Sequence, residues 1–414
     1  MTMSAKVAFF IGTLSKGGAE RAVSNLTRKL PDDIEKTILL YGTQNRIDYP
    51  VAGKLEYIDA VKKNTVLNKF LSILTRAQRL KKIKQNSPDT VFVSFLEYPN
   101  LLNLLTAKWS RTIISVRNHM STKNGRSLKG LFWKVTIRLF YNRADLIIAV
   151  TEDIKRDLVD HFGIEAKKIQ VIYNYYHLDQ IREQGSQTLD PQYEAIYQHP
   201  VVVTMGRMNW QKGQWHLIRA FAALHEQFSD LQLVILGEGK LEKDLKDLCK
   251  QLGVASYVHF PGFQKNPYPF IKKAKMFVLP SLVEGFPNAL VEAMALGIPV
   301  IAADCHSGPR EILAPQSYGQ KTIDYLEASR QGYGLLVPVD MKTIFQSETG
   351  ISEQETAMAA AIQQLLEEGN LWQHYTKAAQ ERALDFNIDD VTSKWQAIIE
   401  SKSKQFLPLD TEDA

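Results

Sequence analysis

KMFVLPSLVEGFPNALVEAMALG, residues 275–297, decides how this chain folds. The apolar run 275–279 reads as a strand. The stretch from Ser281 to Pro287 reads as a loop, and a helix-forming run starts near Pro287 and stops at Gly297. Proline suits a first helical turn, and glycine suits the position just past a helix end. The N–H groups of Asn288, Ala289 and Leu290 then point back at the loop and, with the positive end of the helix dipole, make an anion site. Glu284 lies on the loop and Glu292 about one turn inside the helix. Two carboxylates beside a phosphate site fit a ligand that carries both phosphate and hydroxyls, as a nucleotide sugar does. Taken alone, the spacing of the two glutamates reads equally well as an ordinary strand-loop-helix unit with a surface acid.

The same alternation extends outward on both sides. In the first half, strands are expected at 6–11, 36–41, 90–95, 111–116, 145–150 and 169–173, and helices at 19–30, 66–85, 127–142 and 152–161. In the second half, strands fall at 201–205, 231–236, 257–260, 275–279 and 298–302, with helices at 213–227, 240–252 and 267–273. Strands alternating with helices imply βαβ units on parallel sheets. A chain of 414 residues suits two such domains better than one core. The expected division is 1–180, a linker at 181–199 that contains Gly185, Ser186 and Pro191, and 200–387. Ligands of doubly wound sheets bind beyond the carboxyl ends of the strands.

Three loops at such strand ends carry candidate chemistry. Gly206, Arg207 and Lys212 sit in GRMNWQKG after strand 201–205. Arginine can fork onto a diphosphate while lysine acts as a point charge, although two solvated cations would look the same. Gly17 and Gly18 follow the first strand and admit close approach of a ligand to the backbone. Their pattern is not GxGxxG, so no dinucleotide site is supported. Gly237 and Gly239 punctuate the loop after strand 231–236, where simple turning is an equal reading. His119 and Glu97 follow two strands of the first half, in SVRNHM and SFLEYPN.

PSLVEGFPNALVEAMALGIPVIAAD, together with GRMNWQKG, LVILGEGK, FPGF, SGPREIL, GLLVP and the amino-terminal GGAER, closely resembles the retaining family-4 glycosyltransferases of the GT-B fold. That resemblance implies two doubly wound Rossmann-like α/β domains facing a central cleft, with the helix at 388–405 crossing back onto the first. It implies a nucleoside-diphosphate-sugar donor, UDP before GDP, bound by the second domain. Arg207 and Lys212 would hold the diphosphate, Glu292 the ribose, and Glu284 would face the donor sugar. Gly17 and Gly18 would lie on the diphosphate side and Gly237 near the nucleotide. Gly206 and the run Phe286, Pro287, Asn288, Ala289, Leu290 would complete the donor site. His119 would reach toward the donor sugar, and Glu97 would touch the acceptor. Similar SGPREI segments, here with His306, Gly308, Arg310 and Glu311, recur in enzymes that build bacterial surface polysaccharides and lipid-linked oligosaccharides. The acceptor implied is therefore a polyprenyl-diphosphate-linked glycan. Rival readings are a sugar-nucleotide epimerase, an inverting transferase, and a non-catalytic nucleotide-sugar binder.

No cofactor is expected beyond the nucleotide sugar, and no metal. An Asp-x-Asp pair is missing from the strand ends, and Asp32-Asp33 and Asp389-Asp390 read as helix starts. Two cysteines, Cys249 and Cys305, cannot make a disulfide framework, which favours a reducing cytoplasm. The run Val7 to Ile11 is too short for a signal peptide, and no apolar segment approaches the ~20 residues that span a bilayer. The net charge of +5 is unevenly spread, since residues 1–200 hold 30 basic and 19 acidic side chains. Two stretches contain no acid: 61–87, with Lys62, Lys63, Lys69, Arg76, Arg79, Lys81, Lys82 and Lys84, and 109–143, with Arg111, Arg117, Lys123, Arg126, Lys129, Lys134, Arg138 and Arg143. No nucleic-acid motif accompanies them. They are expected to meet an anionic membrane surface, with the apolar residues of 128–141 inserting shallowly and the protein sitting at the inner face of the plasma membrane.

Overall fold

The computed structural model describes residues 5–15, 17–41, 47–58, 66–121, 128–320, 323–341 and 350–401, without the side chains of 66–71, 128 and 129. The chain divides into two compact units, at Tyr175/Tyr176 and again at Asn387/Ile388.

The first unit is built on a parallel sheet of strands β1 (Lys6–Ile11), β2 (Glu35–Leu40), β3 (Lys54–Tyr57), β4 (Thr90–Phe95), β5 (Thr112–Val116), β6 (Leu146–Ala149) and β7 (Ile169–Val171). Their order is β3-β2-β1-β4-β5-β6-β7. Phe9 of β1 stands in register with Ile38 of β2 and Val93 of β4. Every residue of β4 is buried, as expected for a parallel sheet covered on both faces. The helix Ile388–Glu400 belongs to this unit. Its Ile388, Val391, Trp395, Ile398 and Ile399 join the core beside β1 and β4, Trp395 stacks on Phe95, and Arg111 donates to Ile398 O at 2.7 Å. Residues 402–405, the end of the helix expected from sequence, lie outside the described residues.

The second unit carries β8 (Val201–Met205), β9 (Gln232–Leu236), β10 (Val258–Gly262), β11 (Met276–Leu279), β12 (Val300–Ala303) and β13 (Leu335–Val337), ordered β10-β9-β8-β11-β12-β13. Numbered within the unit this is 3-2-1-4-5-6, the doubly wound order. The stretch read from sequence as a linker, 181–199, is integral to this unit. Helix Leu178–Gly185 opens it, Arg182 Nε donates to Ala295 O at 3.2 Å, and Tyr197 OH donates to Phe270 O at 2.8 Å. Of the residues that suggested a linker, Gly185 ends that helix, Ser186 is its C-cap, and Pro191 opens the helix Pro191–Glu194. A further helix, Glu353–Glu367, starts with a Ser352/Glu355 capping box. Glu355 is also the buried partner of His216 and Arg219 on helix Gln214–His225, at 2.8 and 3.1 Å.

The structure corrects the reading of the basic stretches. Lys84 is fully buried, donating to Asn103 O, Thr106 O and Thr112 Oγ1 at 3.2, 3.2 and 3.1 Å, so it cannot belong to a membrane-facing surface. Arg111 is tied to the C-terminal helix, and Arg117 reaches the Asn174 side chain and lies over Phe95. Charge sequence alone does not separate a solvated lysine from one whose long stem passes through the core. Lys62, Lys63, Lys123 and Arg126 lie outside the described residues.

Burial pushes the Lys84 ammonium down from 10.5 to about 7. Between those two values the unfolded chain keeps a proton that the folded chain has released, so stability rises with pH in that window. It is lowest below pH 7, where the buried amine is charged. The slope is at most ~1.4 kcal/mol per pH unit for one proton. Denaturant titrations of wild type and Lys84→Met should therefore show a wild-type-minus-variant difference that climbs from pH 7 to 9. A flat difference would refute the assignment.

Candidate functional site

In the second unit the strand order reverses between β8 and β11, and the loops leaving these two strands form the core of the site. The β8 loop runs from Gly206 through a 3₁₀ turn, Trp210–Lys212, into helix Gln214–His225. The β11 loop runs from Pro280 to Pro287 and into helix Asn288–Ala295. The backbones are joined, with Leu282 N donating to Gln211 O at 2.9 Å. The side chains are joined as well. Lys212 Nζ sits 2.6 Å from Glu284 Oε1, an ion pair in which the lysine is partly exposed and the glutamate 9% exposed. Arg207 is exposed on the same loop, and its carbonyl is held by Gln214 Nε2 at 3.2 Å.

The β9 loop closes against the β8 loop. Gly206 N donates to Leu236 O at 2.9 Å and Met208 N to Glu238 O at 3.0 Å. Gly237 has φ +126, and a Cβ there would stand 2.2 Å from Gly206 O. Only glycine fits, so Gly237 brings the two loops together. From the far side, the loop after β12 braces the β11 loop, because Ser307 Oγ donates to Gly285 O at 2.5 Å. Arg310 forks onto Asp304, with Nε at 3.0 and 3.1 Å from the two carboxylate oxygens. In this structure Arg310 is therefore a brace for that loop.

Three expectations for the helix start need correction or narrowing. Leu290 N donates to Pro287 O at 3.0 Å, since the helix begins with a tight i−3 turn, so its N–H does not serve an anion. The anion-binding reading narrows to Asn288 and Ala289. The Phe286 side chain is buried, and its ring meets Phe386 edge-on at 5.5 Å. It anchors the loop in the core, as the buried Leu282 does from the same loop, and does not present its ring to a donor. Pro287 is buried as the N-cap. The Asn288 side chain accepts from Tyr176 OH. Glu292 is 2% exposed, on the inward side of the helix.

The remaining candidates belong to the first unit. Gly17 is the extended N-cap of helix Gly18–Lys29, and the Glu20 carboxylate folds against it, 2.1 Å from where a Cβ would be. An acid, rather than an open amide nest, covers this glycine. Glu97 opens helix Glu97–Leu105 just after β4, following Leu96 at φ +74, and accepts from Asn118 Nδ2 at 3.1 Å. His119 is 6% exposed, with Nε2 3.4 Å from Asp153 and Nδ1 3.7 Å from Asp157. Asp157 also accepts from the backbone N–H of Met120 and Ser121 at 2.7 and 3.1 Å, which fixes the His119 loop.

Residues 16–180 match the model described as Glycosyltransferase Family 4, and residues 186–323 match Glycosyl transferases group 1. An uncharacterized glycosyltransferase of Methanocaldococcus jannaschii is 36% identical over 279 residues, 66% of this chain and 68% of the relative. The N-acetylgalactosamine-N,N'-diacetylbacillosaminyl-diphospho-undecaprenol 4-alpha-N-acetylgalactosaminyltransferase of Campylobacter jejuni is 31% identical over 389 residues, 92% of this chain and 96% of that enzyme. This chain is a family-4 glycosyltransferase. Its fold is GT-B: HepE of Anabaena, solved with UDP and glucose, superposes with a TM-score of 0.70 over 95% of this chain and 99% of HepE, at 16% identity.

Reading the sequence of this glycosyltransferase missed Asp153 and Asp157, Gln214 and Ser307. The two aspartates were legible in principle, as an i, i+4 pair on one face of TEDIKRDLVD. The other two act through contacts that only the folded loops create.

Proposed function

We propose that this glycosyltransferase moves a hexosyl or N-acetylhexosaminyl group, with retention of anomeric configuration, from a UDP-sugar to a polyprenyl-diphosphate-linked glycan in bacterial surface-glycan assembly. The observation that carries the donor half is the Lys212–Glu284 ion pair at the switch point, with Arg207 exposed on the same loop. An arriving diphosphate competes for both cations. As Lys212 turns to phosphate, Glu284 is released to accept from hydroxyls of the transferred sugar. The acceptor oxygen then attacks C1 from the face the phosphate leaves. The C1–O bond to the diphosphate breaks, and the acceptor proton passes to the departing phosphate oxygen. The protein supplies stabilisation of that growing charge. Because Arg207 and Lys212 supply the positive charge, turnover is expected to continue in EDTA. Loss of activity in EDTA with rescue by Mg²⁺ or Mn²⁺ would contradict this. The acceptor half draws on the name of the Campylobacter relative, an enzyme for a diphospho-undecaprenol glycan. The reading is tested by incubating the protein with UDP- and GDP-sugars and a polyprenyl-diphosphate disaccharide, and reading donor use and the anomeric coupling of the product. An inverted anomer or an epimerised donor would replace it.

Such an acceptor sits in a membrane surface. No helix among the described residues is long and apolar enough to cross one. Helix Leu128–Phe140 instead exposes Leu131, Phe132, Val135 and Leu139, at 58, 51, 47 and 61%, alongside exposed Lys134 and Arg138. This is an apolar stripe with a basic flank, suited to shallow insertion at the inner face of the plasma membrane. Sedimentation with vesicles containing anionic lipid should be strong at low salt and fall as salt rises. The pair Leu131→Glu and Leu139→Glu should abolish it while leaving donor hydrolysis in solution unchanged. Binding that survives this change would remove the helix from the membrane contact.

A further inference from the structure

Arg76, from the first acid-free stretch, is set among aromatic rings rather than on an open surface. Arg76 projects from helix Val66–Asn86 to the carboxyl edge of the sheet, where Tyr41 follows β2, Gly12 follows β1, and Glu97 and Tyr98 open the helix after β4. This edge includes the reversal of strand order between β1 and β4, where doubly wound sheets take ligands. The guanidinium carbon lies 4.8 Å from the Tyr41 ring centre and 5.6 Å from that of Tyr98. Its Nη1 donates to Tyr98 OH at 2.9 Å. The two rings meet edge-on at 5.0 Å. A Cβ at Gly12 would stand 2.7 Å from Tyr41 OH, so the glycine is what lets the ring seat there.

Stacking on two rings accounts for the position of the guanidinium but not for its hydrogen bonding. Arg76 Nε is buried without a hydrogen-bond partner, and no carboxylate pairs with Arg76 among the described residues. A half-buried arginine that lacks a counter-ion is unusual, because burial of a charge is costly unless it is paired. Most of its five donors are fixed in a planar fork matched to phosphate. The aromatic faces hold the fork rigid, and Glu97 stands one residue from Tyr98 as an acceptor for hydroxyls.

We infer that Arg76, seated on Tyr41 and Tyr98, anchors the diphosphate of the acceptor, with Glu97 receiving a hydroxyl of the adjoining sugar. The assignment rests on the reading of a lipid-diphosphate acceptor, but its test is one of binding and does not need turnover. The full chain is saturated with the nucleoside diphosphate its donor screen selects, which fills the Arg207–Lys212 site. It is then titrated by calorimetry with farnesyl diphosphate, inorganic pyrophosphate and farnesol. Wild type should bind both diphosphates. Arg76→Gln should weaken both by roughly 10–100-fold, the usual worth of a hydrogen-bonded charge, and leave farnesol unchanged. Arg76→Lys keeps the charge but loses the fork, and should weaken them several-fold. If Arg76→Gln does not fold, Arg76→Lys decides in the same way. Unchanged diphosphate binding in a folded variant, or no second diphosphate bound by wild type, overturns the inference. Wild-type binding that depends on Arg76 without any transfer to a lipid-diphosphate glycan would leave this anion site standing and remove the proposed function instead.

Discussion

Lys212→Ala is expected to lower kcat by ~10²–10³, and Arg207→Ala by a similar factor, since one preorganised charge donor is worth about 3–4 kcal/mol at a developing anion. The two losses differ in a second respect. Arg207 is exposed, so its removal should leave the melting temperature unchanged. Lys212 is the partner of Glu284, which is only 9% exposed, and removing it strands a largely buried carboxylate. Lys212→Ala should therefore also melt earlier. Adding Glu284→Ala should restore part of that stability without restoring turnover. Steady-state kinetics beside thermal melts of the three variants check this. Near-normal turnover by folded Arg207→Ala and Lys212→Ala would take the diphosphate away from this loop.

Glu292→Ala and Glu284→Ala should separate the roles proposed for the two carboxylates, ribose binding and contact with the transferred sugar. The ribose does not react, so the loss of Glu292 should raise the donor KM by about 10–100-fold with kcat little changed. The proposed function has Glu284 facing the group in transfer, so its loss should fall mainly on kcat. Because Glu292 is 2% exposed, Glu292→Gln is the companion variant that keeps the packing. It should retain part of the affinity, as an amide still accepts one hydroxyl. The reverse split, with Glu292 governing kcat and Glu284 KM, would exchange their roles.

The parts of this molecule that were legible from sequence are those set by local chemistry. The strands around Phe9, Val93, Val203 and Val278 follow from apolar runs bounded by turn residues. The placement of Arg207, Lys212 and Glu284 follows from strand-loop-helix grammar. Strand Lys54–Tyr57 was not legible, because it is a short edge strand of mixed polarity. Helix Glu97–Leu105 was hidden by Pro99, which is tolerated because it falls in the first turn. Side-chain partnership was the larger blind spot. Lys84 and Arg76 stand eight residues apart in one acid-free stretch. One is sealed under the sheet, and the other is seated between two tyrosines at its carboxyl edge. Phe286 looked like part of a ligand loop and is its anchor. These differences arise from which tertiary neighbour each long side chain meets, which spacing does not encode.

Donor binding should open the Lys212–Glu284 pair. A crystal structure of the protein soaked with UDP checks this. The expected result is diphosphate oxygens within hydrogen-bond reach of Arg207 and Lys212, Lys212 Nζ turned from Glu284 Oε1, and the ribose hydroxyls on Glu292. UDP bound elsewhere, with Lys212 still paired to Glu284, would contradict it.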